Sequence, residues 1–311
     1  MSETHASTSA APLRVAVSGA SGLIGHALVP RLRADGHTVL RLVRRAPRAP
    51  DEVGWDPERG TLDAAALDGV DGVVHLAGEN VAEGRWTEAR KRRIRASRVE
   101  STRLLATAIA GLPRKPSVLV SASAIGIYGD RGDERLDEMS APGSDFLAGV
   151  VREWEAAAAP AAEAGIRVAC LRFGVVLAAN GGALAKMLPL FRLGAGGPMG
   201  SGGQWVSWIS LDDVVELIVR ALHDPALTGA VNAVAGAVTN QQLADTLGRV
   251  LHRPALIPVP AFALRLALGG EMANGTVLAS QRVEPRRLTQ LGFAFHHPEL
   301  EGALRAILGN R

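Results

Sequence analysis

LRVAVSGASGLIGHAL, residues 13 to 28, decides the fold. An apolar run of strand length passes into a helical pattern, and Gly19, Gly22 and Gly25 occupy the junction. The first glycine permits a tight turn, the second lets backbone approach a pyrophosphate, and the third lets helix and strand pack closely. The amides around Ser21, Gly22, Leu23 and Ile24 then stand at a helix N-terminus, where they face phosphates. Such a glycine pattern gains its weight from context. A strand precedes it, a helix follows, and a second apolar strand ends about 20 residues on.

The end of that second strand bears on the dinucleotide. A site for NAD places Asp or Glu there to bind ribose hydroxyls, whereas LRLVRRAPR (40 to 48) offers Arg44 and Arg45. Guanidinium groups suit a 2′-phosphate, so NADP(H) is the expected cofactor.

Moving outward, apolar runs of strand length recur at 13–19, 37–43, 71–78, 117–123 and 167–174. Helical patterns at 23–35, 87–110 and 145–164 separate them. This alternation predicts an α/β fold, a Rossmann-type doubly wound parallel sheet covered by helices on both faces. After Gly174 the texture changes. An apolar helical piece runs into the glycine-rich loop of 181–205, and WVSWISLDDVV returns to strand and helix with Asp212 or Asp213 placed to cap it. The expected organisation is a tail over 1–12, a Rossmann domain over 13–180 and 206–238, and a smaller C-terminal substrate lobe over 181–205 and 239–311.

Composition narrows the function. The chain has 311 residues, 47% of them hydrophobic, and a formal net charge of +3. That charge is too mild to imply nucleic acid, and KRRIRASR (91 to 98) reads as a solvated helix face. No run of about 18 apolar residues predicts a membrane span, and no export signal is visible at the N-terminus. The single cysteine, Cys170, lies in an apolar run, which fits a reducing cytoplasm. His296 and His297 lack partners at ligand spacing, so no metal site is expected.

These residues resemble the short-chain dehydrogenase/reductase superfamily, of the extended type that includes nucleotide-sugar epimerases. GASGLIG has that type's glycine spacing. HLAG (His75, Leu76, Ala77 and Gly78) resembles the strand motif that runs beside the cofactor. SASAIGIYG (121 to 129) resembles the segment with the active-site serine, which implies a role for Ser123. LRFGVVL (171 to 177) resembles the stretch that meets the nicotinamide, which implies Phe173, Gly174 and Val175. A closer resemblance, through WDPERGTLD, HLAGENV, GGALAKMLPLFRLGAGGPMGSGGQWVSWISLDDVV and ASQRVEPRRLTQLGF, is to the atypical subgroup labelled epimerase family proteins. It covers nearly the whole length. The resemblance implies fold and cofactor more than chemistry, and a homodimer at the level of the family.

One departure bears on mechanism. In the superfamily a Tyr-x-x-x-Lys pair on one helix face exchanges a proton with the substrate while the lysine grips the nicotinamide ribose. With Glu155 as register marker, Leu147 and Val151 occupy those two positions. The chain has one tyrosine, Tyr128, and three lysines, Lys91, Lys115 and Lys186, and four residues after Tyr128 stands Gly132. No such pair exists under any alignment.

Three readings stay open. The protein is an oxidoreductase using Tyr128 or another group as proton donor with Ser123 bonding the substrate oxygen; or its small organic substrate needs little acid catalysis, as an imine or conjugated carbon does; or it binds NADP(H) without turnover, as a regulator. Sugar epimerisation is disfavoured, because it needs proton transfer at a hydroxyl in both directions. Glu79 and Asn80, at the C-terminal edge where open sheets bind ligands, and Trp205, beyond the glycine-rich loop, are the substrate-contact candidates.

Overall fold

The computed structural model describes residues 11–309. The tail predicted over 1–12 lies, up to residue 10, outside them. β1 (Arg14–Ser18) enters the glycine turn, α1 (Leu23–Ala34) leaves it, and β2 (Thr38–Val43) pairs parallel to β1. Two short strands then extend the sheet where the periodicity predicts none. β3 (Glu52–Asp56) is parallel to β2, and β4 (Thr61–Leu62) is antiparallel to β3. β5 (Gly72–His75), α2 (Glu88–Ala110), β6 (Val118–Ala124) and β7 (Arg135–Leu136) follow.

The helix predicted over 145–164 is two helices. α3 (Phe146–Ala156) is capped by the Asp145 side chain, which accepts from the Ala148 amide at 2.8 Å, and α4 is Ala159–Glu163. The break falls just before Pro160, which has no N–H for the Ala156 carbonyl and whose ring crowds it. Beyond them come β8 (Arg167–Phe173), β9 (Val175–Leu177), α5 (Gly182–Arg192), β10 (Trp205–Ser210) and α6 (Leu211–His223). Ser210, rather than Asp212 or Asp213, caps α6. Its hydroxyl accepts from the Asp213 amide at 3.0 Å and donates to the Asp213 carboxylate at 2.7 Å. That carboxylate also accepts from the His296 amide at 2.6 Å, so a residue expected to cap a helix tethers the C-terminal segment as well.

The remaining elements are β11 (Gly229–Ala233), β12 (Gly236–Thr239), α7 (Asn240–Leu251), α8 (Ala261–Leu268), α9 (Gly270–Gly275), β13 (Arg282–Val283), α10 (Arg286–Gln290) and α11 (Leu300–Leu308). Thr239 and Gln242 close a capping box at the start of α7.

Eight strands form the main sheet in the order β11-β8-β6-β5-β1-β2-β3-β4, parallel except at β4. The chain builds outward from β1 through β2 and β3, then returns to β5 on the other side of β1. The strand order therefore reverses between β1 and β5, and open α/β sheets bind ligands in the crevice beyond such a reversal. One face of the sheet buries Leu28 and Leu32 of α1 with Val214, Leu217 and Ile218 of α6. The other buries Leu105, Ala106 and Ile109 of α2 with Ala161 of α4. The central strands are covered on both faces, which is why they read as apolar runs rather than as alternations.

A second core lies outside the main sheet. β9, β10 and β12 form a separate three-stranded sheet, and Leu177 and Trp208 from it pack on Leu184, Leu188 and Phe191 of α5, Leu243 and Leu247 of α7, and Leu304 of α11. Conversely Leu288 of α10 and Phe293 join the core of the main sheet. Among the described residues no helix is long and apolar enough to cross a membrane, and no group of three His, Cys, Asp or Glu side chains is placed to hold a metal.

Candidate cofactor-binding site

The crevice is shaped first by its glycines. Gly19 has φ +68°, and a Cβ there would lie 2.8 Å from the Leu76 carbonyl carbon and 2.9 Å from the Ala77 nitrogen. Gly25 lies so close under the turn that its Cβ would fall 2.3 Å from the Gly19 oxygen. The turn closes through the Gly22 amide, which donates to the Gly19 carbonyl at 3.0 Å. Gly22 caps α1 without a side-chain hydrogen bond, and the first turn has no acidic residue. The leading amides, at Ser21 to Ile24, are thus not taken up by a side-chain cap, as an anion site requires.

Across the crevice, HLAG contributes backbone while its histidine turns inward. His75 is fully buried, with Nδ1 2.6 Å from the Ser18 hydroxyl and Nε2 3.2 Å from that of Ser101. The Ser101 proton goes to the Ser97 carbonyl at 2.6 Å, so Nε2 carries the imidazole proton and Nδ1 accepts from Ser18. The Ser18 oxygen in turn accepts from the Leu76 amide at 3.1 Å. Burial holds the imidazole down to about 4, so it stays neutral. The His75 side chain thus ties β1, β5 and α2 together below the crevice, which leaves the backbone of Leu76, Ala77 and Gly78 as the lining.

The two arginines at the end of β2 part company. Arg45 is taken up by Glu52 of β3 in a two-pronged pair at 2.6 and 2.8 Å, and Glu52 also accepts from the Arg48 amide at 2.8 Å. The Arg45 hydrogen bonds, ahead of the Arg48 amide, pull the Glu52 carboxyl down to about 2. A carboxylate is therefore present beside β2, supplied by a strand whose pairing the sequence did not reveal. Both its oxygens are engaged. Arg44 is exposed and has no ion pair or hydrogen-bond partner among the described residues, so it remains the cation free to meet a ligand.

The expected catalytic pair has a different fate. Ser123, 2% exposed, donates to Glu155 Oε1 at 2.6 Å. Arg172 Nε and Nη2 donate to Glu155 Oε1 and Oε2 at 2.7 and 2.8 Å, and Nη1 donates to the Tyr128 oxygen at 3.0 Å. The Tyr128 hydroxyl donates to Asn232 Oδ1 at 2.7 Å, and Tyr128 is 0% exposed. Burial pushes its pKa above the usual phenol value, against the opposing pull of the Arg172 charge. Ser123 and Tyr128 are thus joined through one buried chain and spend their protons inside it. Glu155, Arg172 and Asn232 were not among the expected site residues; an Arg and a Glu on neighbouring buried elements were the only signal.

The remaining candidates lie around the rim. Glu79 pairs with Arg90 and lies 3.4 Å from Arg93, and Asn80 closes its loop by accepting from the Ala82 amide at 2.9 Å. That loop reaches the second lobe. Lys186 donates to the Ala82 carbonyl at 3.2 Å, Arg85 donates to the Leu266 carbonyl, and Lys91 at the start of α2 meets Glu271 at 3.1 Å. Phe173, Gly174 and Val175 run from β8 into β9, with the Gly174 amide donating to Ala233 at 3.1 Å. Trp205 is held by Asp133 at 2.8 Å and lies under the Arg282 guanidinium at 4.1 Å. On α3, Leu147 flanks Gly126 and Val151 packs with Ile125 and Tyr128.

Comparison with known proteins agrees with this architecture. Residues 15–234 match the NAD dependent epimerase/dehydratase family, and residues 259–307 match a domain of unknown function. An epimerase family protein of Mycobacterium bovis is 45% identical over 291 residues, which is 93% of this chain and 96% of that one. The crystal structure of human epimerase family protein SDR39U1 (isoform 2) with NADPH superposes with a TM-score of 0.89 at 37% identity, over 96% of this chain and all of that one. The nucleoside-diphosphate sugar epimerase of Corynebacterium glutamicum gives 0.78 at 40% identity, over 96% of this chain and 58% of that one.

The buried imidazole gives a pH dependence. With a folded value of about 4 against an ordinary 6.5, His75 takes up its proton in the unfolded chain first. Stability is therefore fully present above about pH 6.5 and falls on acidification toward pH 4, by about 3 kcal/mol in all. Urea unfolding across that window should show this slope, and His75→Asn should flatten it while lowering stability at neutral pH; an unchanged slope would mean that His75 is not held neutral.

Proposed function

Because the chain belongs to the NAD dependent epimerase/dehydratase family, we propose that it is an NADP(H)-dependent oxidoreductase acting on a small organic substrate whose reacting carbon is already activated. The observation that carries this reading is the contrast between an open cradle and closed proton donors. The turn leaves no room for a Cβ at Gly19 or Gly25 and offers amides that no side chain caps, which fits a dinucleotide pyrophosphate. Arg44 fits its 2′-phosphate. The cofactor supplies hydride transfer when bound. NADPH in the human relative's crystal structure supports the choice of dinucleotide.

The protein's own contribution is then binding, orientation and exclusion of water. A positioned general acid contributes about 10²- to 10⁴-fold to proton transfer. Tyr128 gives its proton to Asn232 and Ser123 gives its own to Glu155, so neither is free to make that contribution. An unactivated ketone would react slowly here, whereas an imine or a conjugated carbon would not need the missing acid. The same engagement disfavours sugar epimerisation, the activity for which the Corynebacterium relative is named. It equally suits a second reading, a regulator that binds NADP(H) without turnover.

Two measurements test these readings. NADPH consumption followed across a panel of imines, enones and simple ketones should be confined to the activated compounds. Faster turnover of simple ketones would overturn the proposed chemistry, and no turnover at all, with NADPH affinity retained, would leave the regulator. For the cofactor, Arg44→Ala should weaken NADPH by about ten- to a hundredfold in calorimetric titration and leave NADH nearly unchanged. Equal losses for the two would remove the 2′-phosphate assignment.

A further inference from the structure

Six of the seven large hydrophobic side chains exposed among the described residues lie on two adjoining segments. They are Leu190 and Leu193 at the C-terminal end of α5, Leu256 and Ile257 before α8, and Phe262 and Leu266 on α8. The segments run side by side. The Ile257 amide donates to the Gly196 carbonyl at 3.1 Å, the Val259 amide to that of Pro198 at 2.8 Å, and the Gly200 amide to Val259 at 2.9 Å. Arg253 Nε donates to the Arg192 carbonyl at 3.1 Å, where Gly194 meets Pro254. From this ribbon α8 departs as a helix none of whose residues is buried, and Phe262 and Leu266, one turn apart, share a face of it. So much exposed apolar surface in one place marks an interaction site.

The charges around it say what it meets. Residues 181–211 and 246–270 contain Lys186, Arg192, Arg249, Arg253 and Arg265 but no Asp or Glu. Arg192, Arg253 and Arg265 are exposed, and among the described residues no carboxylate lies within ion-pair distance of any of them. The hydrogen bonds of Arg253 and Arg265 go to uncharged oxygens, those of Arg192, His252 and Asn274. Bordering carboxylates are already engaged, Glu271 by Lys91 at 3.1 Å and Glu301 by Arg249 at 3.2 Å and Arg305 at 2.8 Å. Beside Leu256 is a shallow hollow of about 730 Å³ lined by Arg249, His252, Arg253 and Arg305, with Asp245 the one carboxylate on its wall.

An apolar face rimmed by unpaired cations requires an anionic partner. A second copy meeting the same face would bring the unpaired arginines against themselves. Leu193 and Leu256 are 80% and 81% exposed, so they project rather than line a groove, and a fluid surface needs no complementary shape. No described helix can cross a membrane, but lying on one requires only apolar area and cations at the headgroup level. We propose that this face docks on an anionic lipid bilayer, with Leu193, Leu256 and Phe262 entering the headgroup boundary and Arg192, Arg253 and Arg265 meeting lipid phosphates. The assignment is independent of the cofactor reading.

Flotation of the full chain with vesicles tests it, using phosphatidylcholine alone and phosphatidylcholine mixed with phosphatidylglycerol. The chain should float with the mixed vesicles, bind pure phosphatidylcholine far more weakly, and be partly released by high salt. Arg192→Gln with Arg253→Gln should weaken binding about ten- to thirtyfold. Leu193→Ser with Leu256→Ser should weaken it at least about tenfold, and because the side chains are exposed the melting temperature should not change. Binding that loses strength with the arginines but not with the leucines would overturn the assignment, since the apolar side chains would then not enter the bilayer. Failure to bind mixed vesicles would overturn it outright. A dimer dispersed by the leucine pair would then give the face to a second copy, and a monomer would give it to an acidic protein.

Discussion

The Arg172–Glu155 ion pair is the constraint on which the floor of the crevice depends. It joins β8 to α3 and reaches Ser123 on β6 and Tyr128 in the turn after it, with Asn232 of β11 at the far end. Burying two charges is unfavourable unless their remaining hydrogen-bonding capacity is met. Here it is met: both prongs of the guanidinium engage the carboxylate, and two hydroxyls fill the remaining sites. Burial pulls the Arg172 pKa down, but the bonds and charge of Glu155 outweigh it and hold the group above its ordinary value. Removing one partner would leave the other charged in the core, at a cost of about 3–5 kcal/mol. Rigidity here is obtained with the same hydroxyls that a proton-transfer site would need free.

A second buried chain, Ser18–His75–Ser101, does the corresponding work at the strand reversal. It fixes the ends of β1 and β5 against α2 without charge, so the Gly19 turn sits on a frame that does not shift with pH above the imidazole's low value. The two chains divide the polar groups of the region. Those below the crevice satisfy one another, and what is left open at its rim is backbone amide and Arg44. The crevice thus offers donors for phosphate and ribose oxygens, and its apolar wall on α3 offers nothing that titrates.

Much of this was legible in the sequence because it is local. The glycine spacing requires only neighbours within one turn, and five parallel strands announce themselves as apolar runs because both faces are covered. β3 and β4 were hidden by shortness and by flanking turns, and with them the capture of Arg45 by Glu52. The division of α3 from α4 was signalled by Pro160, but an alanine-rich helical pattern on both sides masked it. The engagement of Ser123 and Tyr128 could not be read, since their partners lie 32 and 104 residues away. A motif states which residue types approach a cofactor, but it does not state where their protons point; long-range pairing decides that.

Tyr128, as the chain's single tyrosine, gives the most direct test of the claim that the crevice holds no free acid. Its ionisation can be followed by the ultraviolet absorbance of tyrosinate with no other phenol contributing. The account predicts no tyrosinate signal in the native protein up to and beyond the usual phenol pKa, with absorbance appearing only as alkali unfolds the chain. Bound NADPH should leave this unchanged. A reversible titration at or below the usual value in the folded protein, moved by NADPH, would place the phenol in contact with the crevice and contradict it.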